Sequence, residues 1–222
     1  MIRRLKLDWP EQQAPPGAGT TRLLAVSDER EPALGDERNR RDIEPVDVIL
    51  GCGDLEPDYL SFLGDAFHAP LLLIRGNHDQ GGAWEAGQQV VPVPLGGRLE
   101  EARGITFAGL DWPSRHDGQA RRDEASAWRQ SVGLYLRTRL TRQHPAVILS
   151  HVPPYGLGDT PTDPYHTGFN AYLWLCRRLQ PVLWLHGHTA LAAVEHWRTR
   201  LGRTTLVNVT GAAVIELAPP PR

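Results

Sequence analysis

The segment LLLIRGNHD, residues 71–79, joins an apolar run directly to a polar turn. Leu71–Ile74 predicts a short buried strand, because an apolar run of this length before a turn signal suits a strand covered on both faces. The turn that follows, Gly76–Asp79, places an amide, an imidazole and a carboxylate beyond the end of the strand. Ligands collect at the carboxyl ends of strands in open α/β sheets, so the segment predicts a site as well as an element.

Outward from this segment, short apolar runs alternate with stretches of helical character. Helices are predicted at Pro57–Phe67, Glu124–Arg142 and Gly168–Leu179. The predicted strands are Arg22–Val26, Asp47–Leu50, Leu71–Ile74, Gln89–Val93, Gly104–Leu110, Ala146–Leu149 and Val182–Leu185, and antiparallel β structure closes the chain at Leu191–His196, Thr205–Val209 and Ala212–Leu217. This alternation predicts an α/β fold with a largely parallel sheet covered on both faces.

The longest predicted helix, Glu124–Arg142, carries a row of apolar side chains at helical spacing: Trp128, Val132, Leu136 and Leu140. The first 20 residues end in a Pro/Gly-rich run, so residues 1–20 are expected to be a flexible leader. Residues 21–222 show no repeat and no clear boundary, which favours a single domain.

Composition places the chain among ordinary globular proteins. Of its 222 residues 41% are hydrophobic and 23% are charged, and the formal net charge is −2. That balance does not favour a general nucleic-acid or membrane binder. Neither a signal peptide nor an apolar run long enough to cross a bilayer is found, and the two cysteines lack paired spacing. We therefore expect a cytoplasmic protein.

Oxygen and nitrogen donors follow five of the predicted strands. In chain order they are Asp28, Asp54, Asn77 with His78 and Asp79, His151, and His186 with His188. Each motif alone is weak, because a Gly-Asp turn or a lone histidine after a strand is usually structural. The complete series is more specific, and its hard oxygen and borderline nitrogen donors suit manganese, iron or zinc.

This series resembles that of the calcineurin-like metallophosphoesterases over about Leu23–Leu217. The family's pattern is Asp-x-His, Gly-Asp, Gly-Asn-His-Asp/Glu, a histidine after a strand, and Gly-His-x-His. The segments Ser27-Asp28, Cys52–Leu55 and His166–Phe169 resemble one subgroup in particular. The resemblance implies a four-layer αββα sandwich and a two-metal phosphoesterase.

Carried over position by position, the resemblance supplies a complete set of ligands for the second metal of the family's pair: Asp54, Asn77, His151 and His188. Asp54 matches the carboxylate that bridges the two metals. His78 matches the histidine that contacts the scissile phosphate or protonates the leaving group. Asp79 would then orient His78.

The departures from the family pattern concern the first metal. Asp-x-His is Asp28-Glu29-Arg30 here, and Gly-His-x-His ends in Ala190, so both histidine ligands of that metal are absent. Three interpretations stay open. Arg30 replaces part of the lost charge and binds a phosphate oxygen, a first metal binds weakly through Asp28 and Asp54 with Glu29 or His186, or catalysis is lost.

Two further histidines are candidates for supporting roles. His186 would share a face with His188 and is expected to support the ligands rather than bind the metal itself. His166 either contacts phosphate or only fixes its own loop.

The resemblance implies metal-dependent hydrolysis of phosphate esters, with phosphodiesters slightly favoured because small members of the family often act on them. The expected substrate is a phosphorylated small molecule or nucleotide. The expected cofactor is one firmly bound manganese, iron or zinc ion, with the first site poorly filled. The alternative is a catalytically degenerate scaffold that serves as a binding or regulatory module.

Overall fold

The computed structural model describes residues 2–10, 19–79, 93–114 and 121–219. Its strands are β1 (Arg3–Asp8), β2 (Thr21–Ser27), β3 (Val48–Gly51), β4 (Leu71–Leu73), β5 (Val93–Pro94), β6 (Leu99–Ala102), β7 (Ile105–Leu110), β8 (Val147–Ser150), β9 (Leu183–His186), β10 (Arg198–Leu201), β11 (Thr204–Asn208) and β12 (Gly211–Ala218). Its α-helices are α1 (Glu37–Arg41), α2 (Pro57–Phe67), α3 (Glu124–Thr141) and α4 (Asn170–Leu179). Within those ranges, no helix is both long enough and apolar enough to span a bilayer.

The strands form two mixed six-stranded sheets. One has the order β1-β12-β2-β3-β4-β5, and the other β10-β11-β9-β8-β7-β6. Parallel pairing joins β2, β3 and β4 in the first sheet. It also joins β7, β8, β9 and β11 in the second. The carboxyl ends of these parallel strands carry every predicted metal donor.

Side-chain alternation assigns the layers. In β2, Leu23 and Ala25 lie in the core between the sheets. Leu24 and Val26 point the other way, into a core shared with residues of α2. The outer face of the second sheet packs with α4 and part of α3 in a third core. Successive side chains of a buried strand point to opposite faces, so such a strand contributes to the core between the sheets and to an outer core under the helices. The predicted four-layer αββα sandwich is thus confirmed.

Arg3–Asp8 corrects the expectation of a flexible leader. These residues form β1, an edge strand that pairs in parallel with β12. Trp9, just beyond it, is only 2% exposed. The charged sequence RRLKLD hid the strand because an edge strand tolerates arginine and lysine on its open side. Residues 11–18 lie outside the described ranges.

The end of the chain contains a second correction. Leu191–His196 was predicted as β structure, but Leu191–Ala193 forms a short 3-10 turn. The strand of this region is β10, which pairs with β11 in a hairpin. Its sequence RTRL is polar because β10 is a half-exposed edge, so apolar periodicity could not reveal it. Of the predicted strand Gln89–Val93, only Val93 is described, and it begins β5.

Helix α3 is confirmed, but its apolar row faces outward. The side that it buries contains Ala127 and Leu134 together with three hydroxyl residues, Ser126, Ser131 and Thr138. The row at four-residue spacing is exposed, from 37% at Trp128 to 84% at Leu140. Small side chains on the buried side let α3 lie close against α4 and β7, with which it makes its main contacts.

Because the apolar row of α3 faces outward, two leucine-to-alanine substitutions on this helix are expected to differ in their effect on the free energy of unfolding. Leu134→Ala is expected to lower the free energy of unfolding by about 2–5 kcal/mol, because it opens a cavity in the core. Leu140→Ala is expected to change it by less than about 0.5 kcal/mol, because that side chain already meets water. Urea unfolding of both variants checks this. A loss at Leu140 as large as that at Leu134 would contradict the outward orientation.

Candidate metal centre

Both sheets contribute donors to one cluster. Asp28 follows β2, Asp54 follows β3 and Asn77 follows β4, all in the first sheet. His151 and His188 follow β8 and β9 in the second sheet. The cluster therefore lies where the carboxyl edges of the two sheets meet, and the sandwich packing creates it.

Three residues of the cluster have left-handed backbone conformations. The φ angles are 62° at Asp28, 57° at Asp54 and 63° at His188. Such conformations are uncommon for residues other than glycine and cost roughly 1–3 kcal/mol each. Close approach of the loops also requires glycine at Gly76, where a Cβ would lie 2.2 Å from the Asp54 Oδ1 atom. The local backbone is thus shaped to bring these side chains together.

Four potential ligand atoms converge at one point. The Nε2 atom of His151 lies 3.0 Å from Oδ1 of Asn77 and 3.2 Å from Nδ1 of His188. It also lies 3.1 Å from Oδ2 of Asp54. His151 is fully buried and the Asp54 side chain is only 9% exposed. Metal–ligand bonds of about 2.0–2.2 Å place neighbouring donors about 2.9–3.5 Å apart, so these separations fit one shared ion.

The outer hydrogen bonds fix the tautomers of both histidines. The Nδ1 atom of His151 lies 2.9 Å from the carbonyl oxygen of Cys52, and Nε2 of His188 lies 3.1 Å from that of Tyr165. A carbonyl only accepts, so each of these ring nitrogens carries its proton. The other nitrogen of each ring then presents a lone pair to the cluster. Carbonyl partners of this kind are typical of metal-ligating histidines.

The orientation of Asn77 completes the set of acceptors. Its Nδ2 atom donates to the hydroxyl of Tyr165 at 2.7 Å, which turns Oδ1 towards His151. With both rings neutral, two ring lone pairs, one amide oxygen and one carboxylate oxygen face each other. Acceptors repel one another unless a proton or a metal cation lies among them, and the mixture of oxygen and imidazole donors suits a divalent transition metal.

Burial and neighbouring charges shift the pKa values of His151, His188 and Asp54. Burial opposes the charged form of His151, but its hydrogen bond to Asp54 and the charges of Asp28 and Asp54 raise its pKa to about 9. Burial and the charge of His151 lower the pKa of His188 to about 3. Although burial disfavours its charge, the bond from His151 and the backbone N–H of His78 lower the pKa of Asp54. His188 is thus a neutral imidazole ligand and Asp54 a carboxylate.

Asp28 lies at the margin of this cluster with its oxygens already engaged. Its carboxylate accepts the backbone N–H of His188 at 3.0 and 3.1 Å and the hydroxyl of Thr210 at 3.2 Å. Oδ1 of Asp28 is 3.9 Å from Nε2 of His151, close enough for Asp28, Asp54 and His151 to form a possible three-ligand group. The hydrogen bonds also give Asp28 a supporting task, because they tie the turn after β2 to the turn that carries His188.

Arg30 does not join the cluster, contrary to the expectation that it would face Asp28 and Asp54. Its guanidinium donates to Glu56 at 3.0 Å and lies 5.4 Å from the ring centre of Tyr59. The Arg30 side chain is 55% exposed. The guanidinium therefore lies along the surface towards α2 rather than beside Asp28 and Asp54, so this structure does not support the predicted phosphate-binding or catalytic role of Arg30.

Asp79 and His78 are adjacent in sequence but have separate surroundings. Oδ2 of Asp79 accepts the backbone N–H groups of Asp54 and Gly76 at 2.7 and 2.8 Å. The predicted hydrogen bond from Asp79 to the His78 ring is not found among the described residues. Asp79 instead locks together the turns after β3 and β4. Burial raises its pKa, against the effect of these two hydrogen bonds.

His78 is the exposed histidine of the cluster. Its ring Nε2 lies 4.0 Å from Oδ2 of Asp54, and its side chain is 75% exposed. Its backbone N–H donates to Oδ1 of Asp54 at 2.8 Å. The main chain of His78 thus orients Asp54, while its imidazole stays free to meet a ligand that enters from solvent.

His186 and His166 occupy different positions beside the cluster. His186 is buried, its Nδ1 faces the carbonyl of Gly187 at 3.3 Å, and burial lowers its pKa to about 4. It packs beneath Gly158 and supports a loop rather than a ligand. His166 pairs with Asp163, and its ring centre is 5.0 Å from that of His188. His166 therefore lies at the entrance to the cluster.

Sequence reasoning missed three residues that complete the site. Tyr165 bonds Asn77 through its hydroxyl and His188 through its carbonyl. Thr210 bonds Asp28, and the ring centre of Trp112 lies 5.3 Å from that of His188. Threonine, tyrosine and tryptophan are common packing residues, so no local pattern distinguishes them. Tyr165 had one weak signal, since it lies immediately before the subgroup motif His166–Phe169.

A four-layer sandwich with carboxylate, amide and imidazole donors at the meeting edges of its sheets defines a metal-dependent phosphoesterase. Residues 29–191 match the calcineurin-like phosphoesterase family. The match covers most of the chain, which belongs to this family and is a hydrolase of phosphoric ester bonds. No curated protein sequence is significantly similar to it.

Solved structures share the fold at low sequence identity. TT1561 of Thermus thermophilus is 16% identical, with a TM-score of 0.57 over 86% of this chain and 90% of that one. Phosphopantetheinyl hydrolase from Mycobacterium tuberculosis is 16% identical, with a TM-score of 0.52 over 86% and 89%. GAP50, the anchor in the inner membrane complex of Plasmodium, is 12% identical, with a TM-score of 0.54 over 87% and 72%.

Proposed function

We propose that this chain hydrolyses phosphodiesters at a centre that holds one metal ion. The observation that carries the proposal is that acceptor atoms of three residues, Asp54, Asn77 and His188, lie within 3.0–3.2 Å of a fourth, the Nε2 atom of His151. Those four residues would hold the ion, and manganese is the ion we favour because two of the four donors are oxygens, the ligand type that suits it. The metal, when bound, supplies Lewis-acid polarisation of a phosphoryl oxygen.

A single-metal centre follows from the state of the first position. Of the residues that could serve it, Asp28 is engaged by His188 and Thr210, and Arg30 by Glu56. Ala190 is exposed and offers no donor. One ion supplies less positive charge than two ions would. A diester carries one negative charge at phosphorus and a monoester up to two, so this centre is better matched to a diester.

Other residues of the site donate a proton, orient the metal ligands or pack against them. The exposed ring of His78 donates a proton to the leaving oxygen, and its Nε2 lies 4.0 Å from Oδ2 of Asp54. Tyr165 and the Cys52 carbonyl keep Asn77 and His151 in their ligand orientations. The buried ring of Trp112 packs against His188, with ring centres 5.3 Å apart. The proposed substrate is a phosphorylated small molecule or nucleotide.

The two cysteines, Cys52 and Cys176, are free thiols buried in the cores. Burial raises the pKa of both thiols, which keeps them protonated and unreactive. Their lack of a disulfide is consistent with a reducing compartment, and we include a cytoplasmic location in the proposal.

Metal stoichiometry tests the single-metal centre. Protein purified without added metal and then loaded with manganese is expected to contain one ion per chain and to turn over bis(p-nitrophenyl) phosphate. Arg30→Gln is the matched variant, because Arg30 was the sequence-based candidate for replacing the missing charge. It is expected to keep both the stoichiometry and the turnover, since its guanidinium faces Glu56.

Other outcomes of this measurement separate the alternatives. Two ions per chain with turnover would contradict the single-metal centre. Loss of turnover in Arg30→Gln would contradict the orientation of that residue. One ion or none without turnover of any phosphate ester would favour the binding or regulatory module on a degenerate scaffold.

A further inference from the structure

A second pocket lies at the opposite edge of the second sheet from the metal centre. It has a volume of about 460 Å³ and is lined by the segment just before β8, the turn before β11 and the last turns of α3 and α4. Because β8, β9 and β11 are parallel, their amino ends lie away from the edge that carries His151 and His188. Ala146 and His151 are separated by a strand length of roughly 16 Å at 3.3 Å per residue.

Positive charge is concentrated in this pocket. Arg139, Arg178 and Arg203 line it together with His144, and its lining contains no aspartate or glutamate. In the described part of the chain, no carboxylate forms an ion pair with any of these three guanidinium groups. The guanidinium of Arg178 lies 5.9 Å from the ring centre of Trp174, and all three arginines are exposed. The chain as a whole carries a formal charge of −2, so three arginines without a carboxylate partner among the described residues are a local exception. An anionic ligand would relieve their mutual repulsion.

Helix dipoles explain only part of this arrangement. Arg139 and Arg178 lie in the last turns of α3 and α4, where cations are favourable in any protein. Arg203 comes from neither helix. It follows Gly202 in the turn between β10 and β11, and its backbone N–H donates to Oε1 of Gln180 at 3.1 Å. A third structural element is therefore anchored so that its arginine joins the other two.

The remaining walls are suited to an organic group. Tyr135, Pro145 and Leu179 line the pocket beside the arginines. The Tyr135 ring is supported from behind by Trp174, with ring centres 5.4 Å apart. A volume of this size is typical of small-molecule sites, which combine apolar walls with a few placed polar groups. Three guanidinium groups carry three positive charges, which match the charge of an organic diphosphate, about −3 at neutral pH, better than that of a single phosphate group.

We propose that this pocket binds an organic diphosphate, of the nucleoside diphosphate class, at a site separate from the metal centre. The phosphates lie among Arg139, Arg178 and Arg203, and the organic group lies against Tyr135 and Leu179. The inference stands on residues that take no part in the proposed hydrolysis. It is therefore independent of whether the metal centre acts on diesters.

Adenosine 5′-diphosphate is the probe, titrated calorimetrically into manganese-loaded protein. The triple variant Arg139→Gln, Arg178→Gln, Arg203→Gln is expected to lose at least about 30-fold in affinity at this pocket, because each arginine contributes charge-assisted hydrogen bonds. Its bis(p-nitrophenyl) phosphate turnover without the probe is expected to stay at the wild-type level. The control Arg137→Gln, Arg177→Gln, Arg198→Gln changes the net charge equally at exposed positions outside the pocket and is expected to keep the affinity.

The opposite results would overturn the proposal. Wild-type affinity in the first triple variant would show that the probe binds elsewhere. An equal loss of affinity in the control variant would show that the loss comes from the change in net charge and not from the pocket. Pyrophosphate is expected to bind at least about tenfold more weakly than the probe, because it lacks the group that contacts Tyr135 and Leu179. Equal affinity for pyrophosphate would contradict the organic part of the site.

Discussion

His188→Ala is expected to release the metal ion and to reduce turnover of bis(p-nitrophenyl) phosphate by more than about 100-fold. Loss of a residue that only orients a ligand typically costs about 10–100-fold in metal affinity or activity, and His188 is itself a proposed ligand. Its Nδ1 lies 3.2 Å from Nε2 of His151 inside a buried cluster. Elemental analysis of the manganese-loaded variant, with turnover on the same sample, measures both effects.

Asn77→Ala is the second variant for this prediction, because it removes a different ligand from another strand end. It is expected to lose the ion as well, while thermal unfolding distinguishes metal loss from loss of the fold. His144→Ala, an exposed histidine outside the cluster, is the control and is expected to behave like the wild type. A His188→Ala protein that keeps one tightly bound ion and normal turnover would refute the assigned ligand set.

His78→Ala is expected to lower kcat by about 10²–10⁴-fold, the usual contribution of a general acid. Metal content is expected to stay unchanged, because the bond to Asp54 comes from the backbone N–H of residue 78 and survives the substitution. The loss should be larger with diphenyl phosphate than with bis(p-nitrophenyl) phosphate, since a more basic leaving oxygen depends more on protonation. Steady-state kinetics on both esters measures this difference.

His196→Ala is the matched control for His78→Ala. Its side chain is 74% exposed, against 75% for His78, and it lies outside the cluster. Equal losses on the two esters would assign His78 to substrate contact rather than proton donation. Undiminished turnover in His78→Ala would remove it from the reaction altogether.

The order of the motifs could be predicted from local sequence because each donor follows an apolar strand without interruption. Alternating apolar runs predict parallel strands, and parallel strands bring their carboxyl ends to one edge. Asp54, Asn77, His151 and His188 were among the donors found on this basis, and the family resemblance then selected them as ligands. The strands β1 and β10 escaped prediction because exposed edge strands carry arginines and threonines in place of apolar side chains.

The tasks of the individual donors depended on partners far away in the chain. Oδ2 of Asp79 accepts from Asp54, 25 residues earlier, rather than orienting the neighbouring His78. The carboxylate of Asp28 is bonded by Thr210, which is separated from it by 182 residues. Arg30 is paired with Glu56 on the surface. Local pattern cannot report such pairs, because side-chain directions at strand ends are set by turns and by the packing of one sheet on the other.

By itself, the sequence determined the α/β class and the donors available to a metal, since both follow from apolar periodicity and from residue types at strand ends. The sandwich of two sheets was implied only by the family resemblance. Only the tertiary structure decided which lone pairs face one another, because carbonyls of Cys52 and Tyr165 fix the tautomers of His151 and His188. It also gathered three arginines from α3, α4 and the β10–β11 turn into one pocket. Hydrogen-bond direction and charge proximity are properties of packed elements, and they arise only when distant parts of the chain meet.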